Sequence, residues 1–224
     1  MKLHWSPRSP FVRKVMIALK ATGLEDGIEL CRTVVSSVSR SPEAILADNP
    51  AGQIPALVLD NGLVLQDSRV ILSWIDHASG GQLDPADPME RLGQMADEAL
   101  ADELTGAALL LRIEYQRDEP SEGMIDNLST KLHRGLARFE ARVAQLPQAK
   151  IARSSIALIC LLGQIDLRFS QSRWREAFPG LRAWAEAMEQ LPEVMATRIV
   201  DDAPPQRRDT SALLDFTAAL PVGA

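Results

Sequence analysis

The sequence predicts two domains of different class, a mixed α/β domain at the N-terminus and an all-α domain after it. Strand and helix patterns alternate over residues 1–80 and include a clear β-hairpin signal. Beyond residue 88 the apolar residues recur at helical spacing, and no convincing strand pattern appears. Two glycines and two prolines within residues 80–88 stop both helix and strand. We therefore predict a first domain over residues 1–80, a linker over 81–88, a helical domain over 89–200 and a tail over 201–224.

The first elements of the chain have the pattern of a βαβ unit. Lys2–Trp5 is a plausible strand, and Ser9 is placed to cap a helix whose first residue is Pro10, where proline is favoured. Gly23 lies where a helix C-cap is expected. Ile28–Val35 then has the pattern of a second strand, which completes the unit.

A short helix and a β-hairpin complete the first domain. Ser41, which precedes a proline, is predicted to cap a helix that ends near residue 48. The apolar runs Ala56–Leu59 and Leu63–Leu65 flank Asn61-Gly62, the residue pair that a tight type I′ turn prefers. A helix is then predicted from Ser68 to about residue 79. The resulting order, βαβ, helix, ββα, is that of a thioredoxin-like domain.

The second half of the chain is predicted to consist of helices. Met89–Glu119 forms one long helix or a kinked pair, and Ser121–Leu146 follows it. Ser154–Phe169 is apolar nearly all round, which is typical of a central buried helix. Pro179–Gln190 and Glu193–Ile199 are the last predicted helices.

The tail after the helices changes from polar to apolar. We expect part of it to pack back onto the rest of the protein, because burial of apolar side chains is favourable. The tail contains these features in order: Pro204-Pro205, Arg207-Arg208, Leu213, Leu214 and Phe216.

The composition is that of an ordinary globular protein. Of the 224 residues, 46% are hydrophobic and 24% are charged. The net charge of −6 gives no support to nucleic-acid binding. The N-terminus has no apolar signal core, and the longest apolar run, Ile156–Leu162, is far shorter than a membrane span. We therefore expect a cytoplasmic protein without nucleic-acid or membrane partners.

The cysteines and histidines give no sign of a disulfide or a metal site. Cys31 and Cys160 lie among apolar neighbours, so we expect reduced core residues rather than a disulfide or a redox pair. His4, His77 and His133 lack the spacing of metal ligands, so no metal is expected.

Three motifs carry a family resemblance. The stretch Asn49–Ser68 contains Asn-Pro-x-Gly-x-Ile-Pro-Ala-Leu, followed after the hairpin by Asp-Ser. This pattern resembles the glutathione-binding half of the glutathione S-transferases. Ser9-Pro10-Phe11 resembles the Ser-Pro-Phe motif of some classes, and Gly163–Phe169 is similar to bacterial members. The resemblance covers about residues 1–200 and implies the glutathione S-transferase fold in a bacterial, serine-type member.

The resemblance implies a glutathione site made by two parts of the Asn49–Ser68 stretch. Pro55 is expected to follow a cis peptide bond, so that the backbone of Ile54 pairs with the cysteine of glutathione. A trans proline at a strand start is the alternative that the residues alone leave open. Gln53 is placed to reach the glycyl carboxylate. Asp67 and Ser68 are expected to hold the γ-glutamyl end, although both also suit the start of a helix.

Ser9 is the candidate catalytic residue. Spacing alone favours a plain N-cap, whereas the resemblance implies that Ser9 contacts the glutathione sulfur, with Phe11 beside it. A serine cannot form a mixed disulfide, which favours activation of the thiolate over thiol–disulfide exchange. Ser6 is the alternative hydroxyl. Arg13 and Lys14, on the same helix, are expected to be solvated and to take no part in the site.

The resemblance implies a glutathione transferase that activates the glutathione thiolate for attack on a small apolar electrophile. Glutathione is the co-substrate, no metal is required, and a homodimer is expected. The electrophile pocket should lie between the domains against Met89–Glu119, where Tyr115 or Arg112 is placed to line it. A glutathione-dependent isomerase, dehalogenase or peroxidase on the same site, or a binding module without catalysis, remains open as an alternative.

One stretch departs from the family pattern. The family usually begins its buried helix with a Ser/Thr-x-x-Asp capping motif, and the matching residues here are Ala152-Arg153-Ser154-Ser155. We therefore expect Ser154 or Ser155 to cap this helix one turn later. The missing cap should cost about 1 kcal/mol of stability.

Overall fold

The computed structural model describes residues 1–36, 38–202 and 208–218. Its first part contains β1 Lys2–Trp5, α1 Pro10–Thr22, β2 Glu29–Arg32, α2 Glu43–Asp48, β3 Ala56–Val58, β4 Val64–Leu65 and α3 Ser68–Ala78. The four strands form one sheet in the order β2-β1-β3-β4. β1 pairs in parallel with β2, and β3 pairs antiparallel with both β1 and β4. This arrangement confirms the predicted thioredoxin-like domain.

The second part of the chain is helical, as predicted. Its elements are α4 Pro88–Tyr115, α5 Glu122–Ala141, a 3₁₀ helix Val143–Gln145, α6 Arg153–Arg168, α7 Trp174–Ala177, α8 Pro179–Met188 and α9 Pro192–Met195. α4 is one continuous helix of 28 residues, so the long helix forms and the kinked pair does not. α4 packs against α5 and α6, and α1 of the sheet domain packs on α3 and α6. The exact domain boundaries stay predictions.

Both predicted caps of α1 are present. The Ser9 side chain accepts a hydrogen bond from the Val12 N–H, and Pro10 is the first helical residue. Gly23 ends the helix with a φ of 68°, a left-handed conformation that glycine adopts without a steric penalty. The local sequence therefore determines both ends of this helix.

Two elements near β2 differ from the prediction. β2 spans only Glu29–Arg32, because its partner β1 ends at Trp5 and the Thr33 N–H makes the last bond to the Trp5 carbonyl. Ser41 does not cap α2. The capping position belongs to Pro42, and the Ser41 hydroxyl donates instead to the Gly52 carbonyl at 2.9 Å.

The hairpin forms where it was predicted, but its turn type is different. Leu59 pairs with Leu63, which leaves a loop of three residues. Gly62 has a φ of 84°, whereas Asn61 does not adopt a positive φ. A type I′ turn needs positive φ at both central residues, so this is instead a three-residue loop with glycine in the left-handed position.

The central helix α6 is buried as predicted, but it begins earlier than expected. Ala152 occupies the capping position, directly before Arg153. The Ser155 hydroxyl accepts from the Ala152 N–H at 2.9 Å and lies 2.7 Å from the Lys150 carbonyl. Ser155 therefore supplies the hydrogen bonds at the start of α6 from within its first turn. The prediction that a serine caps the helix one turn later is wrong.

The apolar part of the tail packs back, as predicted. Leu214 and Phe216 are buried, and the Phe216 ring lies 4.6 Å from the His133 ring and 5.7 Å from the Phe178 ring, between centroids. Of the polar part, Arg208 is described, whereas residues 203–207, with Pro204-Pro205 and Arg207, lie outside the described residues.

The expectation that Arg13 and Lys14 are solvated is wrong. Arg13 is buried and donates to the Thr197 and Ile159 carbonyls at 3.0 and 3.5 Å. Lys14 is buried as well, because the helical domain covers this face of α1 and supplies acidic partners.

Both cysteines are free, and Cys160 is buried whereas Cys31 is half-buried. Burial raises the pKa of the Cys160 thiol to about 11. Among the described residues, no helix combines the length and the apolar composition that crossing a membrane requires. Within the same ranges, no group of three or more His, Cys, Asp or Glu side chains is arranged as metal ligands.

Candidate active site

Two adjoining cavities lie where the sheet domain meets the helical domain. The first has a volume of about 190 Å³ and lies between the β1–α1 loop, the segment after β2 and the C-terminal ends of α4 and α6. Its polar and charged lining residues are Ser6, Arg8, Ser9, Ser36, Gln53, Arg112 and Arg168. Its apolar lining residues are Pro10, Phe11, Val34, Val35, Val38, Ile54, Leu109 and Ile113.

The second cavity, of about 510 Å³, continues from the first toward α3. Phe11, Gln53 and Ile54 line both cavities, so the two form one continuous cleft. The remaining lining residues of the second cavity are Asn49, Ala51, Pro55, Gln66, Asp67, Ser68, Arg69, Ala99, Asp102 and Glu103. All seven residues predicted for the site therefore line this cleft, and Ser6 does so as well.

Ser9 stands at the N-terminus of α1 and lines the first cavity. The loop that carries it is fixed from the helical domain, because the Gln164 side-chain amide donates to the Arg8 carbonyl at 3.0 Å. The Ser9 oxygen accepts from the Val12 N–H at 3.3 Å. Accepting this bond leaves the hydroxyl proton available to a second group, so the N-cap role and a contact with a bound anion are compatible.

The peptide bond between Ile54 and Pro55 is cis, which confirms the prediction. The turn before it is held by two side chains. Asn49 donates from its amide to the Gln53 carbonyl at 2.9 Å, and Ser41 holds the Gly52 carbonyl. Gly52 is required here, because it has a φ of 63° and an added Cβ would lie 2.6 Å from the Ser41 oxygen.

Asp67 caps α3, and Ser68 is its buried first residue. Asp67 Oδ1 accepts from the Arg69 N–H at 2.9 Å, and Oδ2 lies 3.1 Å from the Arg69 guanidinium. Partial burial opposes ionisation of Asp67, but the hydrogen bonds from Arg69 outweigh it and lower the pKa of the carboxyl group. The peptide bond between Gln66 and Asp67 is also cis.

The sequence prediction missed the acidic residues that α4 contributes to the second cavity. Asp102 and Glu103 line it together with Asp67. Asp102 lies 2.8 Å from the ammonium group of Lys14, yet burial raises the pKa of its carboxyl group. Lys14 and Asp102 are 88 residues apart in the chain, so local spacing gives no signal of this contact.

Arg8 and Arg168 were also missed as lining residues of the first cavity, whereas Arg112 was named as a candidate. Tyr115 lines neither cavity, and the Arg208 guanidinium lies 5.7 Å from the centre of its ring. The only signal for Arg168 in the sequence was its place in the run Gly163–Phe169. The two ends of the cleft therefore differ in charge, because the described residues around the first cavity include three arginines and no acid, whereas those around the second include three acids and one arginine, Arg69.

Comparison with known proteins places this architecture in one family. A family model described as the N-terminal domain of glutathione S-transferases matches residues 3–83. An uncharacterised glutathione S-transferase-like protein of Escherichia coli K12, YibF, is 31% identical over 180 residues, which are 78% of this chain and 86% of the relative.

Solved structures agree with the sequence comparison. A glutathione transferase family member from Pseudomonas fluorescens Pf-5, solved with bound glutathione, is 38% identical, with a TM-score of 0.84 over 89% of this chain and 98% of that chain. A second structure from that organism, with bound S-(propanoic acid)-glutathione, is 37% identical with a TM-score of 0.80 over the same shares. The fold, the family model and the relatives agree, and the chain belongs to the glutathione S-transferase family.

Proposed function

We propose that this protein is a glutathione transferase that binds glutathione along the cleft and activates its thiol at Ser9 for attack on a small apolar electrophile. One observation carries the proposal. Ser9, the cis peptide of Ile54 and Pro55, and the pair Asp67 and Ser68 come from three separate segments and line one continuous cleft.

Each part of glutathione has a matching group in the cleft. The backbone of Ile54 suits the cysteinyl unit, because an extended peptide pairs with a strand edge through main-chain hydrogen bonds. Ser68 at the start of α3 suits the γ-glutamyl carboxylate, since helix N-termini bind anions. The Asp67 carboxylate suits the α-ammonium group. Gln53, exposed at the junction of the cavities, suits the glycyl carboxylate.

The start of α1 supplies what a thiolate needs. A free thiol has a pKa of about 8.5, so only about 3% is ionised at pH 7. Lowering that pKa by about 2 units requires about 2.7 kcal/mol of stabilisation of the thiolate. The dipole of α1 contributes up to about 2 kcal/mol, and a hydrogen bond from Ser9 to the anion about 1.5–3 kcal/mol. Together these two effects meet the requirement.

Apolar side chains beside Ser9 suit the electrophile. Phe11, Leu109 and Ile113 line the first cavity from both domains. Burial of a small apolar substrate there contributes about 25 cal/mol per Å² of apolar surface. The Pseudomonas fluorescens relative bound to S-(propanoic acid)-glutathione supports a transfer to the glutathione sulfur, because that ligand is a thioether of glutathione, the product class of such a transfer.

We also propose a homodimer. Apolar side chains on α3 and α4 are exposed in the single chain: Val70, Met89, Leu92 and Met95. Exposed apolar surface of this kind is typical of a subunit interface. Light scattering should give twice the chain mass of 24.5 kDa, and the monomer mass at micromolar concentration would contradict the proposal. A cytoplasmic location also stays a prediction.

Calorimetric titration of the purified protein with glutathione tests the proposal directly. We expect saturable binding below millimolar glutathione, together with glutathione-dependent displacement of chloride from a neutral aryl chloride. No binding at millimolar glutathione would favour a module that kept the fold and lost catalysis. Binding without turnover of any aryl or alkyl electrophile would favour a different glutathione-dependent reaction.

A further inference from the structure

We propose that the second substrate carries a carboxylate, and that Arg8, Arg112 and Arg168 bind it in the first cavity. These three residues are called the arginine cluster below. The inference rests on the proposed function, because it assigns the substrate class of the same site. The electrophile would have an apolar body and an anionic end.

The arginine cluster is assembled from three distant segments. Arg8 lies in the β1–α1 loop beside Ser9, Arg112 lies near the C-terminus of α4, and Arg168 is the last residue of α6. All three line the first cavity, and its described lining contains no aspartate or glutamate. Three like charges that converge without an acid in the wall repel one another, and an anion in the cavity would relieve that repulsion.

The structural evidence for an anion is strongest at Arg168. Only 5% of it is exposed, and its Nε and Nη1 atoms have no hydrogen-bond partner among the described residues. The nearest acid, Asp201, has its Oδ2 atom 3.5 Å from Nη1. Burial, followed by repulsion from Arg112, lowers the pKa of Arg168 to about 10. A buried guanidinium whose Nε has no hydrogen bond within the described part of the chain, and whose Nη1 has only the long ion pair with Asp201, is costly unless a ligand completes its hydrogen bonding.

Arg112 and Arg8 show the same shortage of acidic partners. The buried Nε of Arg112 has no partner among the residues that the structure describes, and burial together with repulsion from Arg8 lowers its pKa. Arg8 Nε lies 3.9 Å from Asp202, whose carboxylate is in closer contact with Arg32. The cluster therefore keeps a net positive charge that the surrounding carboxylates do not match.

Glutathione itself does not account for the cluster. Its γ-glutamyl and glycyl carboxylates are assigned to Ser68 and Gln53, on the sheet domain. Arg112 and Arg168 belong to the helical domain, on the side of Ser9 where Leu109 and Ile113 form the apolar wall. A substrate in this place meets apolar and cationic groups together. Guanidinium groups bind carboxylates and phosphates in a planar, two-bond geometry, and of these two anions we infer the smaller, singly charged carboxylate.

The reaction implied is a substitution at carbon. The glutathione sulfur forms a C–S bond with the electrophilic carbon, and the leaving group departs with the electron pair of the broken bond. The thiol proton goes to solvent, so no oxidant or reductant is needed. The arginine cluster takes no part in these bond changes and orients the substrate by its carboxylate.

Product analogues test the inference without depending on a reactive substrate. Calorimetry would compare glutathione, S-(2-carboxyethyl)glutathione and the amide of the latter, which has the same shape without the charge. We expect the parent protein to bind the acid at least about tenfold more tightly than the amide, as charge-assisted hydrogen bonds should provide. Arg112→Gln should remove most of this preference, and Arg8→Gln is the second variant if Arg112→Gln melts at a lower temperature.

Arg91→Gln is the matched control. It removes the same charge from the same helix, about 30 Å from Arg112 at 1.5 Å per residue, and should keep the preference of the parent. If the parent binds glutathione but binds the acid and the amide with nearly equal affinity, the inference is overturned and the proposed function is not. An equal loss of affinity for glutathione and for the acid in Arg112→Gln would also overturn it, because the cluster would then serve glutathione. Failure of the parent to bind glutathione would overturn the proposed function instead.

Discussion

The ammonium group of Lys14 on α1 lies 2.9 Å from the Glu98 carboxylate on α4, and each side chain is only 1% exposed. This contact joins the sheet domain to the helical domain, and Lys14 also contacts Asp102, which lines the second cavity. Arg153 of α6 in turn pairs with Glu98 at 3.1 Å. Burial of ions is costly, so a group of this kind is stable only while every charge keeps its partner.

Lys14→Met should strongly destabilise the protein, because it leaves Glu98 and Asp102 with less positive charge. Removal of one partner of a buried pair costs about 3–5 kcal/mol, which urea unfolding would measure. Lys20→Met on the same helix is the control, since Lys20 pairs with Glu25 at the surface and such pairs contribute about 0–1 kcal/mol. Equal unfolding free energies for the two variants would show that the buried pair is not structurally important.

Asp67→Asn should weaken glutathione binding while keeping α3 capped, because asparagine caps helices as well as aspartate does. Loss of the charge-assisted hydrogen bond to the α-ammonium group should cost about 1.5–3 kcal/mol of binding free energy, measured by calorimetry. Asp87→Asn, at the N-cap of α4, is the matched control and should bind like the parent. Unchanged affinity in Asp67→Asn would limit Asp67 to its capping role.

The lowered pKa of Asp67 also predicts how the effect of this variant varies with pH. The pKa of Asp67 is lowered from its ordinary value of 3.8, so the carboxylate is ionised at every higher pH. The contribution of the Asp67 carboxylate to glutathione affinity is therefore complete above the ordinary pKa, and it is lost only as the pH falls through the lowered pKa. The affinity difference between parent and Asp67→Asn should thus stay constant from pH 8 to pH 5. A difference that disappears between pH 7 and pH 6 would contradict this assignment.

Ser155→Ala should destabilise α6. The change leaves the buried Ala152 N–H without its acceptor, at a cost of about 1–3 kcal/mol in the free energy of unfolding. Ser154→Ala is a close control, because the buried Ser154 hydroxyl has no hydrogen-bond partner among the described residues. We expect Ser154→Ala to be neutral or stabilising in the same urea titration. The reverse order of the two variants would show that Ser155 is not the residue that completes the helix start.

The parts of this molecule that follow from local sequence were predictable. Ser9, Pro10 and Gly23 specify both ends of α1 within a few residues, and the structure has those ends. β2 was overestimated because its length depends on where β1 ends, which is a property of the partner strand. The four-residue helix α7, Trp174–Ala177, was missed because it is too short to show a helical period.

The residues in and around the candidate site also fall into two groups, those that a local motif reveals and those that it does not. Ser9, Ile54 and Asp67 were found because each stands at a turn or helix start with a recognisable motif. Lys14 and Arg168 were not found, because their surroundings are formed by residues far away in the chain. A charged residue on a helix is usually solvated, and only the packing of the second domain reveals that Lys14 is buried.

Ser9→Ala separates the two roles of Ser9. Loss of the N-cap should lower the stability of the protein by about 0.5–2 kcal/mol, which thermal unfolding would detect. Glutathione affinity should change little, because the other contacts in the cleft remain. Turnover at pH 7 should fall, since less of the bound glutathione would be ionised.

The pKa of bound glutathione tests the central claim most directly. Ultraviolet absorbance of the thiolate, followed against pH in the glutathione complexes of the parent, Ser9→Ala and Ser6→Ala, would report it. We expect the thiol pKa in Ser9→Ala to lie about 1–2 units above that of the parent, as loss of one hydrogen bond to the anion implies. Ser6→Ala should titrate like the parent. A Ser9→Ala complex with the pKa of the parent would contradict the account and leave Ser9 as a helix cap.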